Sequence, residues 1–394
     1  MPDNNLNTLD KVLEMYVETL SVSDTQFDKV RDRCTSIWKW LAREGSILRD
    51  KNPEVYPQGS FLIGTAIHHE NGALDVDLVC CLDFDKSNIS QKDLKEKLGK
   101  ELTEYAKAKN MKNKPEPKKR CWMLEYEDGT RFHIDILPAI PDKDAGYKKY
   151  LLESGVTDAL SRTAICITDD TLANYPRIDN QWLRSNPKGY ALWFKEKMKV
   201  SFERGARSLL ERQLYNAMEE IPMHKVKTPL QKAVQILKWH RDVMFEKNPD
   251  KRPISCVVST LAAHSYQNES RLVDAILRIA DEMDKYIGKD GDVKNPVRPD
   301  ENFADKWKTD ATLKDNFDKW LEEFRRDLKE AASKTSEREM IEVLGMSMGK
   351  TVMGRVLENS GYQVKSQVAP TILTYPEVKV SPTKQWSTDD KSSA

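Results

Sequence analysis

Two patterns of hydrophobic and polar residues divide this chain into a front half and a back half. In the front half, apolar side chains recur three and four residues apart, which predicts a long amphipathic helix with a buried face at Phe27, Val30, Cys34, Ile37, Trp38 and Leu41. From residue 56 to about residue 85 the pattern changes to short apolar runs broken by glycine, and ALDVDLVCCLDFD indicates a buried strand. RFHIDILPAI indicates a second strand, and residues 92–108 between the two indicate a helix.

The back half of the chain is dominated by helical spacing. Thr228 and Pro229 supply a cap and a first-turn proline ahead of one periodic apolar run. Further helices are predicted at residues 254–266, 272–287, 313–332 and 337–357. We therefore expect a catalytic lobe with a long N-terminal helix over residues 1–220, a helical lobe over 221–360, and a C-terminal extension with a flexible tail over 361–394.

Composition limits the possible functions without selecting one. The 394 residues include 63 Lys+Arg and 63 Asp+Glu, and this zero net charge argues against a long polyanion as an obligatory partner. The six cysteines include no C-x-x-C pair and are expected to be reduced thiols. No basic segment precedes an apolar run at the N-terminus, and no stretch approaches the roughly 20 apolar residues of a membrane span. We therefore expect a cytoplasmic protein with no membrane partner.

Three carboxylates on the two predicted strands carry the candidate chemistry. Asp75 and Asp77 lie two residues apart, so both side chains project from one face while Val76 and Leu78 point the other way. Asp135 has the same kind of position in the second strand, and the three carboxylates converge if the strands are neighbours. Such a set can hold two divalent ions about 3.5–4 Å apart, as in-line displacement at phosphorus requires. Mg²⁺ is the expected ion because it prefers oxygen ligands and also binds substrate phosphates.

A Gly-Ser pair upstream supplies the candidate phosphate site. Gly59 allows the backbone to approach an anion closely, and Ser60 offers a hydroxyl donor ahead of a predicted helix. On its own, a D-x-D pair in a highly charged chain is more often a strand end or a turn than a metal site. Asp83 and Asp85 illustrate that alternative, because they lie too far along the strand to reach the same ions and are expected to be solvated.

The order of these motifs resembles the active-site signature of the polymerase-β-like nucleotidyltransferases, with Gly59, Ser60, Asp75, Asp77 and Asp135 as the matching residues. KTPLQKAVQILKWHRD, PISCVVSTLAAHSY and NPVRPDENFADKW are similar to helical-lobe motifs of the cyclic GMP-AMP synthase/DncV-like nucleotidyltransferases, the CD-NTases of bacterial anti-phage (CBASS) systems. Residues 25 to 360 carry this resemblance. It implies an α+β fold, with a polymerase-β-like mixed-sheet lobe and an all-helical, oligoadenylate-synthase-like C-terminal lobe.

The resemblance also implies a role for each motif residue of the front half. Asp75 and Asp77 would ligate both of two Mg²⁺ ions, for which Mn²⁺ is a substitute. Asp135 would ligate the catalytic ion and help to deprotonate the attacking ribose hydroxyl. Gly59 and Ser60 would hold the β- and γ-phosphates of the donor nucleotide. The three acids are therefore the expected catalytic and metal-binding residues.

Two residues of the helical half complete the implied site. Lys238 matches a family lysine that contacts the triphosphate, and Ser255 matches a polar residue at the next helix start that also reaches phosphate. Independently of the family, a group of basic residues would give one helix face a positive potential: Lys225, Lys227, Lys232, Lys238, His240 and Arg241. A solvated helix face is the alternative interpretation of each of these residues. Cys256 stands where the animal synthase has a base-stacking tyrosine, which leaves the choice of base open.

The function implied is Mg²⁺-dependent condensation of NTPs into a cyclic di- or trinucleotide second messenger, with release of pyrophosphate. One alternative is a linear-oligonucleotide or macromolecule-modifying nucleotidyltransferase, and an alternative of another class is a nucleotide-binding regulator with an idle site. The implied partners are NTPs, a downstream effector that binds the product and, in some operons, a ubiquitin-conjugation-like enzyme acting on the C-terminus. No obligatory DNA activator is expected. The bases, ring size, linkage and activating signal stay open.

Two further signals have a structural interpretation. GMSMGKT at residues 345–351 resembles a Walker A loop, but its glycines are four residues apart instead of five and no strand precedes them. Gly345 and Gly349 are therefore expected to allow close helix packing. His133 shares a strand face with Asp135, and a place in the cleft stays open for it.

Overall fold

The computed structural model describes residues 3–68, 74–126, 132–212, 214–215, 217–218 and 221–362. The C-terminal tail with its expected conjugation site, from residue 363 onward, lies outside the described residues. The described chain contains a mixed β-sheet and a large group of helices, so the expected α+β architecture is confirmed.

Seven strands form the main sheet, in which β1, β2, β5, β4 and β3 lie side by side in that order. The strands are β1 (Glu54–Pro57), β2 (Leu74–Cys81), β3 (Glu116–Pro117), β4 (Trp122–Tyr126), β5 (Phe132–Pro141), β6 (Ile165–Ile167) and β7 (Leu183–Ser185). The pair β2 and β5 is parallel, whereas the other pairs in the sheet are antiparallel. β8 (Lys294–Asn295) and β9 (Arg298–Asn302) form a separate hairpin.

Two long helices cover the apolar face of this sheet. They are α2 (Asp24–Leu41), which begins with a capping box at Ser23, and α4 (Gln91–Ala108), which Ser90 caps. Both match the predicted helices closely. Their apolar stripes form one core with alternate residues of β2 and β5, which leaves the opposite face of those strands available for polar side chains.

Further helices complete the described fold, and most of them build a second core. They are α1 (Asp3–Leu20), α3 (Gly59–Leu62), α5 (Ala145–Glu153), α6 (Asp158–Ser161), α7 (Pro187–Lys197), α8 (Lys199–Glu211), α9 (Met223–Val226), α10 (Pro229–Met244), α11 (Ser255–Ser265), α12 (Leu272–Glu282), α13 (Ala311–Ser333), α14 (Glu337–Met348) and α15 (Lys350–Asn359). Of these, α1, α7, α8 and α10 to α15 contribute buried apolar residues to the helical core. Helices α1, α7 and α8 therefore pack away from the sheet core, although the sequence places residues 1–220 in one catalytic lobe. No helix in the described ranges combines the length and the apolar character needed to cross a membrane.

The predicted helix over residues 337–357 is two helices, and that prediction is corrected here. Gly349 adopts a left-handed backbone, with φ of +87°, between α14 and α15. Gly345 allows close packing as expected, because a Cβ there would lie 2.3 Å from the Sδ atom of Met353. Gly349 instead ends a helix, and the nearest atom to its hypothetical Cβ is 3.8 Å away. The Walker-like sequence is thus the junction between two helices, α14 and α15, and is not a phosphate-binding loop.

Candidate active site

The three acids of the predicted metal site lie on the open face of β2 and β5. The parallel register places Asp77 beside Asp135 and Asp75 beside His133. Val76 and Leu78 of β2 point into the sheet core, where they are almost fully buried. The strands therefore alternate as the sequence predicts, and their pairing brings the acids to one surface.

Burial and like charge act together on Asp77. Desolvation, followed by the like charges of Asp135 and Asp75, raises the pKa of Asp77 to about 6. The Asp77 side chain is still open to solvent along the cleft, so water screens part of this repulsion. An excess of uncompensated negative charge at the end of a strand pair favours a bound cation.

The donor set fits Mg²⁺ in its chemistry, since the three side chains offer only carboxylate oxygens. Within the described ranges, no three His, Cys, Asp or Glu side chains lie close enough together to coordinate a metal ion without other ligands. Mg²⁺ commonly takes one or two carboxylates and completes its shell with waters and substrate phosphates. The Asp75 side chain is 85% exposed, so its carboxylate is accessible from the cleft. The three acids therefore suit Mg²⁺ together with water or phosphate oxygens as further ligands.

His133, for which the sequence leaves a place in the cleft open, lines the same face, together with two residues that the sequence analysis does not identify, Cys121 and Glu125. His133 lies between two acids: its Nδ1 is 3.3 Å from Asp75 Oδ1, and its Nε2 is 3.7 Å from Oε1 of Glu125. The thiol of Cys121 donates to the Asp135 carboxylate, and burial followed by that carboxylate raises the pKa of Cys121 to about 12. Glu125 could have been found from the sequence, because it alternates with the buried Leu124 and Tyr126 on β4.

The predicted phosphate site is a sharp turn against the acids. Gly59 begins the one-turn helix α3 with φ of +58°, and a Cβ there would come within 3.7 Å of Asp77 Oδ2. The preceding residue anchors the turn, because Gln58 N donates to Asp77 O over 2.8 Å. Gly59 is exposed and Ser60 is half-buried at the cleft. The turn and the acids are thus adjacent, as a shared metal and phosphate site requires.

Lys238 points at this turn, but it is buried. The side chain is only 6% exposed, and Nζ donates to the Thr65 carbonyl over 2.9 Å. Burial, followed by the charge of the neighbouring Arg241, lowers the pKa of Lys238 to about 7. The structure therefore places Lys238 behind the phosphate turn, one residue layer away from the cleft.

Ser255 lies at the exposed first residue of α11, as the sequence predicts. Arg241, which is 2% exposed, donates from Nη1 to Ser255 Oγ over 2.9 Å and to Pro253 O over 3.0 Å. The same guanidinium donates twice to Asp242, at 2.9 and 2.7 Å. Arg241 thus fixes the start of α11 from inside the protein.

The single basic face expected on α10 does not form, because its members reach different partners. Lys232 Nζ lies 2.8 Å from Glu14 on α1, and His240 Nε2 lies 3.2 Å from Asp327 on α13. Lys225, on α9, pairs with Asp24 on α2. Lys238 and Arg241 remain as the pair directed toward the turn and the start of α11.

The family comparison points to the same segment as the site. Residues 53–138 match a family model described as "Cyclic GMP-AMP synthase DncV-like, nucleotidyltransferase domain". That range holds β1, the Gly59 turn, β2 and most of β5. A c-di-GMP synthase from Roseivirga ehrenbergii is 28% identical over 352 residues, which cover 87% of this chain and 85% of the relative. The cyclic dinucleotide synthase CdnG of Bradyrhizobium diazoefficiens is 24% identical and covers 76% of this chain and 70% of its own.

Solved structures share the fold across both cores. The Bradyrhizobium diazoefficiens CD-NTase CdnG, in complex with GTP, superposes with a TM-score of 0.66 at 20% identity, over 89% of this chain and 98% of that chain. Vibrio cholerae DncV, a cyclic AMP-GMP synthase in complex with a linear intermediate, superposes with a TM-score of 0.52 at 17% identity, over 89% of this chain and 88% of that chain. The sheet and the helical group thus recur together in these proteins.

Proposed function

We propose that this chain, an enzyme that makes cyclic oligonucleotides and whose residues 53–138 match a DncV-like nucleotidyltransferase domain, joins two NTPs into a cyclic dinucleotide with release of pyrophosphate. The observation that carries the proposal is the register of β2 and β5, which sets Asp77 beside Asp135 with Asp75 on the same face. The adjacent Gly59 turn supports a triphosphate at this place.

Asp75, Asp77 and Asp135 are proposed to hold two Mg²⁺ ions, or Mn²⁺ in their place. When bound, such ions neutralise the triphosphate and lower the pKa of an attacking hydroxyl. The three carboxylates of this protein have two different roles in the proposed reaction. Asp75 and Asp77 orient the donor triphosphate, and Asp135 holds the ribose hydroxyl of the acceptor in line and accepts its proton.

Gly59 and Ser60 are proposed to bind the β- and γ-phosphates of the donor. The positive φ of Gly59 exposes backbone at the turn, and the Ser60 side chain stands at the cleft. Ser255 is proposed to reach the same phosphates from the start of α11, with Arg241 behind it. Lys238 is proposed to support the triphosphate from its buried place below Thr65.

Guanine nucleotides are the proposed substrates, and c-di-GMP is the proposed product. The Roseivirga relative is named a c-di-GMP synthase, and the Bradyrhizobium structure is a complex with GTP. A cyclic dinucleotide closes when the product of the first transfer turns round and presents its own triphosphate to the same acids. One set of three carboxylates is therefore sufficient for both bonds.

Incubation with each labelled NTP and with all four, in Mg²⁺, tests the proposal. The expected result is a phosphatase-resistant product from GTP alone, identified by mass spectrometry and nuclease P1 digestion. Asp75→Ala combined with Asp77→Ala is expected to abolish it. The proposal fails if no cyclic product forms, or if the double variant matches the wild type.

The other outcomes decide between the remaining functions. Linear products, or label transferred to a macromolecule, identify a nucleotidyltransferase that does not cyclise. Nucleotide binding without turnover, over several metals, identifies a regulator. Products from other bases replace the guanine assignment without changing the reaction.

Partners beyond the nucleotide belong to the same proposal. The role proposed is in anti-phage signalling, with an effector protein that binds the cyclic product. A ubiquitin-conjugation-like enzyme is proposed to act on the C-terminus, which lies outside the described residues. Deletion of residues 363–394 is expected to abolish conjugation and to leave nucleotide synthesis unchanged.

A further inference from the structure

Three polar side chains on one face of α10 all donate to the backbone of a single segment. Their spacing of four and three residues is that of one helix face. The acceptors are carbonyls of the segment that follows the Gly59 turn. The bonds are Gln231 Nε2 to Ile63 O (3.0 Å), Gln235 Nε2 to Ala66 O (2.7 Å) and Lys238 Nζ to Thr65 O (2.9 Å).

Two of those acceptor residues also hold the phosphate turn. Ile63 N donates to Gly59 O over 3.2 Å, and Thr65 N donates to Ser60 O over 2.9 Å. The amide of each residue thus holds one member of the Gly-Ser pair, while its carbonyl is held by α10. Only one residue separates the helix from each phosphate-site residue.

The three donors are buried, so water cannot replace them. Gln231 is 1%, Gln235 is 5% and Lys238 is 6% exposed. If one donor is removed, the carbonyl that it served is left desolvated and unpaired, which costs more than the net value of the bond. Gln231 is used completely, because it also donates to Met223 O and accepts from Thr228 N at the start of α10.

The packing of residues 59–66 agrees with these bonds. Phe61 packs into the sheet core, whereas Ile63 packs into the helical core. Between α10 and this segment there is no room for a side chain at Gly64, where a Cβ would lie 2.4 Å from Gln231 Nε2. The segment is therefore fixed between the two cores, with α10 in direct contact with its backbone.

We propose that Gln231, Gln235 and Lys238, named here the turn clamp, are positioning residues that set the 59–66 segment for binding a triphosphate. The inference rests on the proposed function and adds to it, because Gln231 and Gln235 lie within the motif KTPLQKAVQILKWHRD but have no role in the proposed site. Lys238 then acts through Thr65, and its charge lies behind the turn. The clamp links the helical core to the site at the level of the backbone.

Two variants, each with a new side chain similar in shape to the original one, test the clamp. A third variant, on the same helix, is the control. Gln235→Met and Lys238→Met each remove one donor while keeping an unbranched side chain. Lys232→Met removes a salt bridge to Glu14 on α1 and leaves the clamp untouched. Gln231 is unsuitable, because its replacement would also break the capping box that its side chain forms with Thr228 at the start of α10.

Hydrogen exchange and nucleotide affinity are measured on the full chain. Gln235→Met and Lys238→Met are expected to exchange the amides of residues 59–66 about tenfold faster than wild type, from the loss of about one buried hydrogen bond. A non-hydrolysable GTP analogue is expected to bind about tenfold more weakly, and GMP within about twofold of wild type. Lys232→Met is expected to leave the exchange of residues 59–66 and the ratio of the two affinities unchanged.

Three results would overturn the clamp. Unchanged exchange in both variants shows that α10 does not hold the turn. Equal loss of GMP and triphosphate affinity shows a structural role without positioning. Triphosphate-selective loss in Lys238→Met alone, with unchanged exchange, makes Lys238 a direct ligand. If the wild type forms no product, the proposed function fails, and the exchange comparison still decides for or against the clamp.

Discussion

The two sides of the cleft handle polar groups in opposite ways. On the sheet side, Asp75 and Asp77 face solvent, and the charges acting on Asp77 are of its own sign. On the helical side, Gln231, Gln235 and Lys238 of α10 are buried, and each donates to a backbone carbonyl, as Gln235 does to Ala66 O. The carboxylates proposed to bind ions repel one another, whereas the groups that hold the turn have their hydrogen-bond partners in place. Charge repulsion therefore lowers the stability of the folded protein on the sheet side, whereas buried hydrogen bonds order the backbone on the helical side.

Asp77→Asn is expected to have the largest effect on activity and an opposite effect on stability. Product formation should fall by about a thousandfold, because several kcal/mol of charge stabilisation depend on these ligands. The melting temperature in chelator should rise, because a repelling charge is removed. Pyrophosphate release and thermal melting measure the two effects. Asp83→Asn, at an exposed salt bridge to Lys143, should change neither; an active or less stable Asp77→Asn protein would contradict the comparison.

Arg241→Met should cause the largest loss of stability on the helical side. It removes a buried guanidinium from Asp242 and from the Ser255 hydroxyl, and breaking such a pair costs about 3 kcal/mol. Chemical denaturation measures the change. Arg252→Met is the matched control, because Arg252 bonds the same Asp242 oxygen from a more exposed position and should cost under about 1 kcal/mol. Equal costs would mean that the burial of Arg241 contributes nothing.

Gly64→Ala sharpens the comparison at the contact between α10 and the turn. The backbone has φ of +70°, and the new Cβ would meet Gln231 Nε2, so we expect a loss of about 2–3 kcal/mol. Gly155→Ala separates the two causes, because Gly155 has φ of +85° with no atom near its Cβ. That control should lose only about 1 kcal/mol, the cost of the backbone alone. Equal melting temperatures for both variants would rule out close contact at Gly64.

The smallest effect expected is a change in acid stability at His264 in the helical core. Burial, followed by the charge of Lys197, lowers the pKa of His264 to about 4. The folded state therefore favours the neutral imidazole, and this stability is present above pH 6.5 and lost as the pH falls toward 4. Melting temperatures over that range should fall less for His264→Gln than for wild type. Lys197→Met should show a change of the same sign, and a steeper fall in either variant would contradict the assignment.

Periodicity was sufficient to predict most elements of the fold. The faces of α2, β2 and β5 follow from residue spacing, since one side of each is buried. Helix α1 was not predicted, although Leu9, Leu13 and Tyr16 show the same spacing and are buried. The break at Gly349 was missed because a glycine inside an apolar pattern fits both close packing and a left-handed turn.

The candidate site likewise contains residues that the sequence predicts and residues that it does not. The acids can be located from strand alternation, and the motif order adds the phosphate turn. The roles of Gln231 and Gln235 could not be seen, because their acceptors are backbone carbonyls about 170 residues away in sequence, at separations of 168 and 169. A carbonyl belongs to every residue type, so no residue pattern marks it. The basic face predicted around Lys238 was wrong for a related reason, because the sequence does not show which acidic partner lies opposite each basic residue.

Because of the parallel register of β2 and β5, an error in strand alignment by one residue would disrupt the hydrophobic core and the candidate active site together. Side chains alternate with a period of two, so a slip of one residue would turn Asp75 and Asp77 into the core and expose Val76 and Leu78. Such a molecule would lose its core together with its site. A slip by one residue therefore gives no well-folded enzyme, because the apolar residues that hold these strands also fix the side on which the acids stand.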